Sequence, residues 1–305
     1  DDSIDAIPVA FLNVFFSIGG QPEINLANIC GGGTVFPGTN LANCQFLADD
    51  IRTCQSRGKI VTLSLGGASG AAFFTSDAQG EAFADTVWNL FLGGSSSTRP
   101  FGNAVLDGVD LDIEGGGSTG FAAFVRRIRS RASGASKQYY VTAAPQCPFP
   151  DAFLGPVLNA VGFDAVYVQH GTSLLGAYYL GVERKVILTL YRDNWAKTQS
   201  PNRNVKIYIG APASPTAAGS GFVDINRLSS IARTTRSQFS SFGGVMLWDA
   251  SQAVANNRFD RAIKAALRSG REAPKETDAS SKDSKDGKDG KESPSAHVSS
   301  RSFRF

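Results

Sequence analysis

The sequence predicts an α/β fold, a (β/α)8 barrel built on a parallel sheet. Apolar runs of strand length alternate with amphipathic stretches of helix length along most of the chain. Continuous apolar strands that alternate with helices are typical of a parallel sheet covered on both faces. The 305 residues suffice for one large barrel domain, and 33 glycines supply the tight turns that connect strands and helices.

Seven segments have the composition of buried strands. They lie near residues 6–16, 59–66, 105–114, 139–144, 164–169, 205–211 and 243–248. Amphipathic stretches predict helices at Leu41 to Ser56, Gly80 to Leu92, Phe121 to Ala132 and Asp224 to Phe239. Because a closed (β/α)8 barrel needs eight strands, we expect a barrel that is one strand short and has exposed strand edges at the gap.

The segment LDGVDLDIEGG, residues 106–116, carries carboxylates at alternate positions of a predicted strand. Successive side chains of a strand point to opposite faces, so Asp110, Asp112 and Glu114 share one face. Two strand steps separate the Cα atoms of Asp112 and Glu114, roughly 6.6 Å. Like charges at that spacing resist joint ionisation, and one carboxyl can stay protonated near neutral pH. A protonated acid beside an ionised partner is what cleavage of a glycosidic bond requires.

Two other interpretations of these carboxylates remain open. A solvated edge face is disfavoured, because acidic residues are depleted inside strands. A magnesium or calcium site is the functional rival, because these ions prefer clustered carboxylates. No loop of the calcium-binding type surrounds the motif, and both histidines, His170 and His297, are distant in sequence. The pattern favours acid chemistry, and we expect neither a metal nor a cofactor.

The same segment resembles the DxxDxDxE motif of glycoside hydrolase family 18, with Asp107, Asp110, Asp112 and Glu114 at its acidic positions. The chain is similar in particular to the class III, hevamine-like chitinases of plants and fungi. This similarity covers most of residues 6–268 and includes the segments IPVAFLNVFF, EINLANIC, IVTLSLGG, YVTAAPQCPFPD, VKIYIGAPASPTAAGSGFV and FGGVMLWD. The resemblance implies an endo-acting chitinase that cleaves β-1,4 bonds between N-acetylglucosamine units of chitin or chito-oligosaccharides.

The resemblance also implies roles for the acidic residues. Glu114 is expected to protonate the leaving glycosidic oxygen, while the acetamido oxygen of the substrate itself acts as the nucleophile. Asp112 is expected to orient the acetamido nitrogen and to stabilise its positive charge. Asp110 is expected to share a proton with Asp112. Asp107 has the opposite strand parity, so we interpret it as structural.

Four further residues match substrate-binding positions of the family. Trp248 matches a stacking platform beneath the sugar, with a buried core tryptophan as the alternative. Gln169, Asn25 and Gly67 match positions that line the cleft. The chain departs from the family at Gly171, where the family has a tyrosine that donates a hydrogen bond to the acetamido oxygen. This departure keeps open a second function, a catalytically impaired chitin-binding or inhibitor-like protein with the same fold.

The four cysteines match family positions as well. Cys30 and Cys44 fall where the family has an early disulfide. Cys54 and Cys147 match family cysteines whose partners are absent from this sequence, one in the missing N-terminal region and one in the region after Gln169. In the family, a first strand that ends in a YWGQN-like motif precedes the part that resembles Ile7 to Phe16, and nothing here corresponds to it, so we expect the missing strand to be the first. Disulfides form in oxidising compartments, so the expected location is extracellular or the cell wall, although the sequence shows no signal peptide.

Charge and hydropathy disfavour other classes of partner. The formal net charge of +3 is too small to indicate nucleic acid or an anionic membrane. No apolar stretch reaches the roughly 20 residues of a membrane span. We expect a monomer with two parts, an N-terminally truncated catalytic barrel over residues 1–269 and a tail over residues 270–305. The tail contains SSKDSKDGKDGKESPS and is expected to be disordered, because it has too few apolar residues to offset the entropy of ordering.

Overall fold

The computed structural model describes residues 2–169 and 192–269. The strands are β1 (Ala6–Val14), β2 (Glu23–Ile24), β3 (Ile60–Gly67), β4 (Gly108–Ile113), β5 (Tyr140–Ala143), β6 (Ala165–Val168), β7 (Lys206–Pro212) and β8 (Phe242–Trp248). They form one sheet in the order β2-β1-β3-β4-β5-β6-β7-β8. The two-residue β2 is antiparallel to β1, and every other neighbouring pair is parallel.

Helices follow most of the strands. They are α1 (Ala48–Ser56), α2 (Asp77–Phe91), α3 (Phe121–Ala132), α4 (Gly155–Ala160), α5 (Ile225–Gln238), α6 (Ala250–Ala255) and α7 (Phe259–Arg268). Residues 192–198 are also helical, and short 3-10 turns occupy Ile18–Gly20 and Gln45–Leu47. Ser76 and Asp224 begin α2 and α5 by accepting hydrogen bonds from backbone N–H groups of the first turn.

The first helix is shorter than the prediction from Leu41. It begins at Ala48, because the preceding residues are engaged in local turns. Cys44 is bonded to Cys30, and the Asn43 side chain accepts a hydrogen bond from the Gln45 N–H at 3.2 Å.

Alternation along the strands divides the apolar residues between two sides of the sheet. On β4, Val109, Leu111 and Ile113 join the large core that also contains residues of α2 and α3. The opposite side forms a smaller interior that includes Tyr167 of β6 and Tyr208 of β7, whose ring centroids are 5.0 Å apart. The carboxylates of β4 face this interior, as the strand period predicts.

The sheet curls until its first and last parallel strands approach each other. The rings of Phe11 on β1 and Trp248 on β8 stack with centroids 5.6 Å apart. Within the described residues, no hydrogen-bonded pairing joins β8 to β1, and the edge of β1 that faces away from β3 pairs only with β2. Seven parallel strands in one curled sheet confirm the predicted α/β barrel class, and the described residues leave a gap between β8 and β1. We call this gap, with β1 and β8 on its two sides, the open seam.

Of three further expectations, one can be compared with the structure and two concern residues outside the described part of the chain. Every helix within residues 2–169 and 192–269 is too short or too polar to span a bilayer. The predicted tail over residues 270–305 lies outside the described residues. The family departure at Gly171 also lies outside them.

Candidate active site

Strand β4 brings the three carboxylates to the carboxyl end of the sheet. Asp110 and Asp112 are only 2% and 8% exposed, whereas Glu114, one residue past the end of the strand, is half-buried. Leu111, between the two aspartates, is fully buried on the other side of the sheet. The strand therefore places two desolvated acids beneath one that solvent reaches.

Asp110 is held by hydroxyl groups of the two neighbouring strands. Its carboxylate oxygens accept hydrogen bonds from Ser64 Oγ and Thr142 Oγ1, each at 2.7 Å. Ser64 and Thr142 are also its register partners on β3 and β5. Burial raises the pKa of Asp110, and the two hydroxyl hydrogen bonds only partly oppose that shift. Asp110 therefore takes up a proton more readily than an exposed aspartate does.

Gln169 connects the other two carboxylates. Its side-chain nitrogen donates to Asp112 Oδ1, to Glu114 Oε1 at 3.3 Å and to the Ala144 carbonyl at 3.1 Å. Burial, followed by the negative charges of Asp110 and Glu114, raises the pKa of Asp112 to about 8. This shift favours the protonated form of Asp112 at neutral pH. The side-chain amide of Gln169 thus connects the buried Asp112 with the solvent-accessible Glu114.

The predicted substrate-binding residues Trp248, Gly67 and Asn25 meet around Phe11. Trp248 is 38% exposed and stacks on the Phe11 ring at an interplanar angle of 20°. Gly67 has a φ of +84°, and a Cβ atom there would lie 2.8 Å from the same ring. Asn25 exchanges two backbone hydrogen bonds with Phe11, at 2.9 and 3.0 Å. An aromatic platform thus stands at the carboxyl ends of β1, β3 and β8.

Three residues of the site, Phe11, Ser64 and Thr142, are not among those predicted from the sequence. The two hydroxyl residues carry a readable signal, because each is a polar residue in an apolar strand, in VTLSLGG and YVTAA. Their shared register with Asp110 needs the strand pairing, which the sequence does not give. Phe11 carries no such signal, because a phenylalanine in an apolar strand is ordinarily core.

Asp107 lies at the other end of β4 and binds structural partners. Its carboxylate accepts hydrogen bonds from the Val61 N–H at 2.7 Å and from Gln55 Nε2 at 2.9 Å, and it pairs with Lys137 Nζ at 2.9 Å. These contacts join β4 to β3 and α1, consistent with a structural role.

The cysteines of the described residues differ in state. The Cys30–Cys44 disulfide predicted by the resemblance is present. Cys54 is a half-buried thiol and Cys147 a buried one. Residues 2–169 and 192–269 contain no group of three or more His, Cys, Asp and Glu side chains arranged to hold a metal ion.

Fold and site together define a glycoside hydrolase, and comparison with known proteins identifies its family. Residues 2–171 match the family model for glycosyl hydrolases family 18. Chitinase 2 of Rhizopus oligosporus is 51% identical over 267 residues, which cover 88% of this chain and 47% of that protein. The chain belongs to glycosyl hydrolases family 18, as the sequence predicted, and it spans about half the length of this relative.

Solved structures share the fold. A chitinase from Ipomoea carnea has a TM-score of 0.74 and 32% identity, covering 87% of this chain and 92% of that chain. A xylanase and α-amylase inhibitor protein from Scadoxus multiflorus has a TM-score of 0.71 and 29% identity, and the match covers 87% of this chain and 90% of the inhibitor. The same fold therefore occurs in an enzyme and in an inhibitor.

Proposed function

We propose that residues 1–269 form the catalytic unit of an extracellular, monomeric endochitinase. Its reaction is hydrolysis of β-1,4 bonds between N-acetylglucosamine units of chitin and chito-oligosaccharides. The observation that carries this proposal is the Asp112–Gln169–Glu114 arrangement beside the exposed indole of Trp248. The family and the chitinase from Rhizopus support the substrate, and the endo mode and the location are carried over from the resemblance.

In the first step, Glu114 donates its proton to the glycosidic oxygen as the bond to the anomeric carbon breaks. The acetamido oxygen of the same sugar attacks that carbon and forms an oxazolinium ion. Asp112 passes its proton towards Asp110 and, as a carboxylate, accepts a hydrogen bond from the acetamido N–H, whose positive charge it stabilises. The raised pKa values of both aspartates support a shared proton.

In the second step, Glu114 is a carboxylate and acts as a base. It takes a proton from a water molecule whose oxygen attacks the anomeric carbon, and the oxazolinium ring opens. Two inversions leave the product with the original β configuration. Gln169 holds the oxygens of Glu114 and Asp112 towards one amide nitrogen, so the acid and the acetamido-binding group keep a fixed separation. Trp248 supplies an apolar face for the sugar ring.

The substitution Glu114→Gln tests the assignment, because the amide keeps the shape of the side chain but has no acidic proton. We expect turnover of chitin oligosaccharides to fall by about 10²- to 10⁴-fold, while calorimetry shows nearly unchanged binding. Glu81→Gln, at an exposed position of α2, is the matched control and should retain full activity. Undiminished turnover by Glu114→Gln would remove this residue from the mechanism.

Products of the unmodified protein give a second readout in the same experiment. Proton NMR of early products should show the β anomer, and fully deacetylated chitosan should not be cleaved. Early α anomer would contradict the substrate-assisted mechanism. Loss of activity in the presence of a chelator would favour the metal site instead.

The alternative function is a chitin-binding or inhibitor-like protein with the same fold. The Scadoxus inhibitor supports it through its fold, and Gly171 supports it because the family tyrosine is missing there. Binding of chito-oligosaccharides without turnover, equal for the unmodified protein and Glu114→Gln, would identify this alternative. Inhibition of a xylanase by the purified chain would identify the inhibitor-like form.

A further inference from the structure

Exposed aromatic side chains of the described residues gather at the end of the barrel that carries the carboxylates. Phe16 and Phe73 are each 45% exposed, and Trp248 is 38% exposed. Phe16 follows β1 by two residues, Phe73 follows β3 by six, and Trp248 is the last residue of β8. Phe46 is also exposed but lies elsewhere. Two residues before it, the Cys44 N–H donates to the Pro100 carbonyl in the segment that precedes β4. Water-exposed rings grouped beside a cleft are typical of a binding surface.

Phe73 lies against the loop that carries the acid. A Cβ atom built on Gly116 would be 2.7 Å from Phe73 Cβ, and Gly116 is only two residues beyond Glu114. A Cβ atom on Gly120 would be 2.7 Å from Phe74 Cβ. The segment that contains both phenylalanines therefore packs directly on the loop that follows β4.

Phe74 anchors this segment and directs Phe73 outward. Phe74 is 3% exposed, and its ring centroid lies 5.0 Å from Phe15 and 4.8 Å from Phe121. Because Phe74 is fixed in the core, Phe73 presents its ring to solvent in a defined place.

Phe16 stands on the same aromatic cluster. Its ring centroid is 5.3 Å from Phe83 and 6.2 Å from Phe74. The backbone N–H of Phe15 donates to the Ala71 carbonyl at 3.0 Å, so the end of β1 and the segment after β3 are joined. Phe16 and Phe73 are thus two exposed rings that stand on one packed aromatic cluster. We call these two rings the aromatic rim.

We propose that the aromatic rim binds sugar units of a long chitin chain beyond those held at Asp112 and Glu114. This inference rests on the proposed function. The axial hydrogens of an N-acetylglucosamine ring form an apolar face that packs on an aromatic side chain. The occupant is the substrate chain itself, because Phe73 packs on Gly116, two residues beyond Glu114, which places the rim next to the site that the proposed function gives to this chain. The rim therefore acts on polymer and leaves short substrates unaffected.

The test compares substrates of different length. Phe73→Ala should lower kcat/KM for colloidal chitin and for the N-acetylglucosamine hexamer, and the Phe16→Ala, Phe73→Ala double variant by about five- to tenfold. Hydrolysis of a chromogenic diacetylchitobioside should stay unchanged. Phe46→Ala removes a similarly exposed ring far from the rim and should affect neither substrate. Phe73→Trp should retain activity on polymer, and thermal unfolding should show that each variant is folded.

Two outcomes would contradict the proposal that the aromatic rim binds sugar units. One is unchanged polymer hydrolysis by the double variant, and the other is an equal loss on polymer and on the short substrate. Failure of the proposed function is seen separately, as absence of turnover of both substrates by the unmodified protein. In that case retention on chitin beads tests the rim proposal. Weaker retention of the folded double variant than of the unmodified protein supports it, and equal retention rejects it.

Discussion

The strands on the two sides of the open seam, β1 and β8, are far less buried than β4, β5 and β6 on the opposite side of the barrel. Every residue of β4, β5 and β6 is buried. In β1 only Leu12 is buried among nine residues, and in β8 only Gly244 among seven. A strand flanked by neighbours and covered on both faces is buried along its whole length, whereas a strand beside a gap remains partly exposed to water.

The two regions supply different parts of the candidate site. The arc from β3 to β7 holds Asp110 and Asp112, and its burial is the largest cause of their raised pKa values. The open seam holds Phe11 and Trp248, and the exposure of β8 at its carboxyl end leaves the indole face accessible. In the proposed mechanism, proton transfer therefore takes place in the closed region and sugar packing in the open one.

Polar contacts join the opposite end of the seam. Ser3 Oγ donates to Asp260 Oδ2 at 2.6 Å, and Lys264 pairs with Asp5. These bonds connect the residues before β1 with α7, the second helix after β8. The Asp260 side chain is buried and that of Lys264 is 14% exposed, so these contacts are better shielded from water than ordinary surface ion pairs.

The largest expected effect is on stability and compares two leucines. Leu111 on β4 is fully buried, whereas Leu247 on β8 is half-buried. We expect Leu111→Ala to lower the free energy of unfolding by about 3–5 kcal/mol, because it leaves a cavity that the packed arc cannot close. Leu247→Ala should cost about 1 kcal/mol, since the site is already partly solvated. Denaturant unfolding measures both, and equal losses would show that the seam is as tightly packed as the arc.

The second prediction concerns the cost of burying carboxylates in the arc. The pKa of Asp112 is about 8 in the folded protein against 3.8 for the ordinary group. Between these values the unfolded chain has released the proton that the folded protein still binds, so this group lowers stability as pH rises from about 4 to 8. Asp112→Asn removes that loss. We expect the variant to exceed the unmodified protein by about 1–3 kcal/mol at pH 8, with the gain disappearing near pH 4, and to be inactive.

Asp260→Asn is the control of opposite sign. The hydrogen bond from Arg258 holds the pKa of Asp260 below its usual range. That contribution is present above the ordinary pKa and is lost as pH falls, so the variant should be less stable than the unmodified protein at pH 7 and equal to it in strong acid. A stability gain of Asp112→Asn that does not change with pH would contradict a raised pKa at that position.

The sequence predicts the arc better than the seam for a physical reason. The DGVDLDIE pattern specifies strand, faces and chemistry together, because a period of two sorts its residues without knowledge of their neighbours. The seven parallel strands follow from the same alternation of apolar runs. Hydroxyl partners such as Ser64 depend on register between strands, which the sequence does not state. The stack of Phe11 on Trp248 joins the first and last parallel strands, and only closure of the sheet reveals it.

The helix that precedes β3 shows a second limit. Apolar spacing predicts a helix from Leu41, yet the helix begins at Ala48. Hydrophobic period reports which side chains face the core, and residues such as Leu41 and Ala42 are indeed buried. It does not report that the Cys30–Cys44 disulfide and the Asn43 turn occupy the same residues with other backbone geometry.

The smallest expected effect tests the aromatic contact across the seam. The other two tryptophans, Trp88 and Trp195, are 9% and 3% exposed, so an aqueous quencher such as acrylamide reports mainly on Trp248. Phe11→Ala removes the ring on which the indole stacks. We expect stronger quenching and a KM for chito-oligosaccharides about three- to tenfold higher, because aromatic pairs contribute about 0.5–1.5 kcal/mol. Turnover at saturation should change little, since the carboxylates lie in the arc. Trp248→Phe, which removes the accessible fluorophore, is the control, and unchanged quenching in Phe11→Ala would show that β8 alone positions the indole.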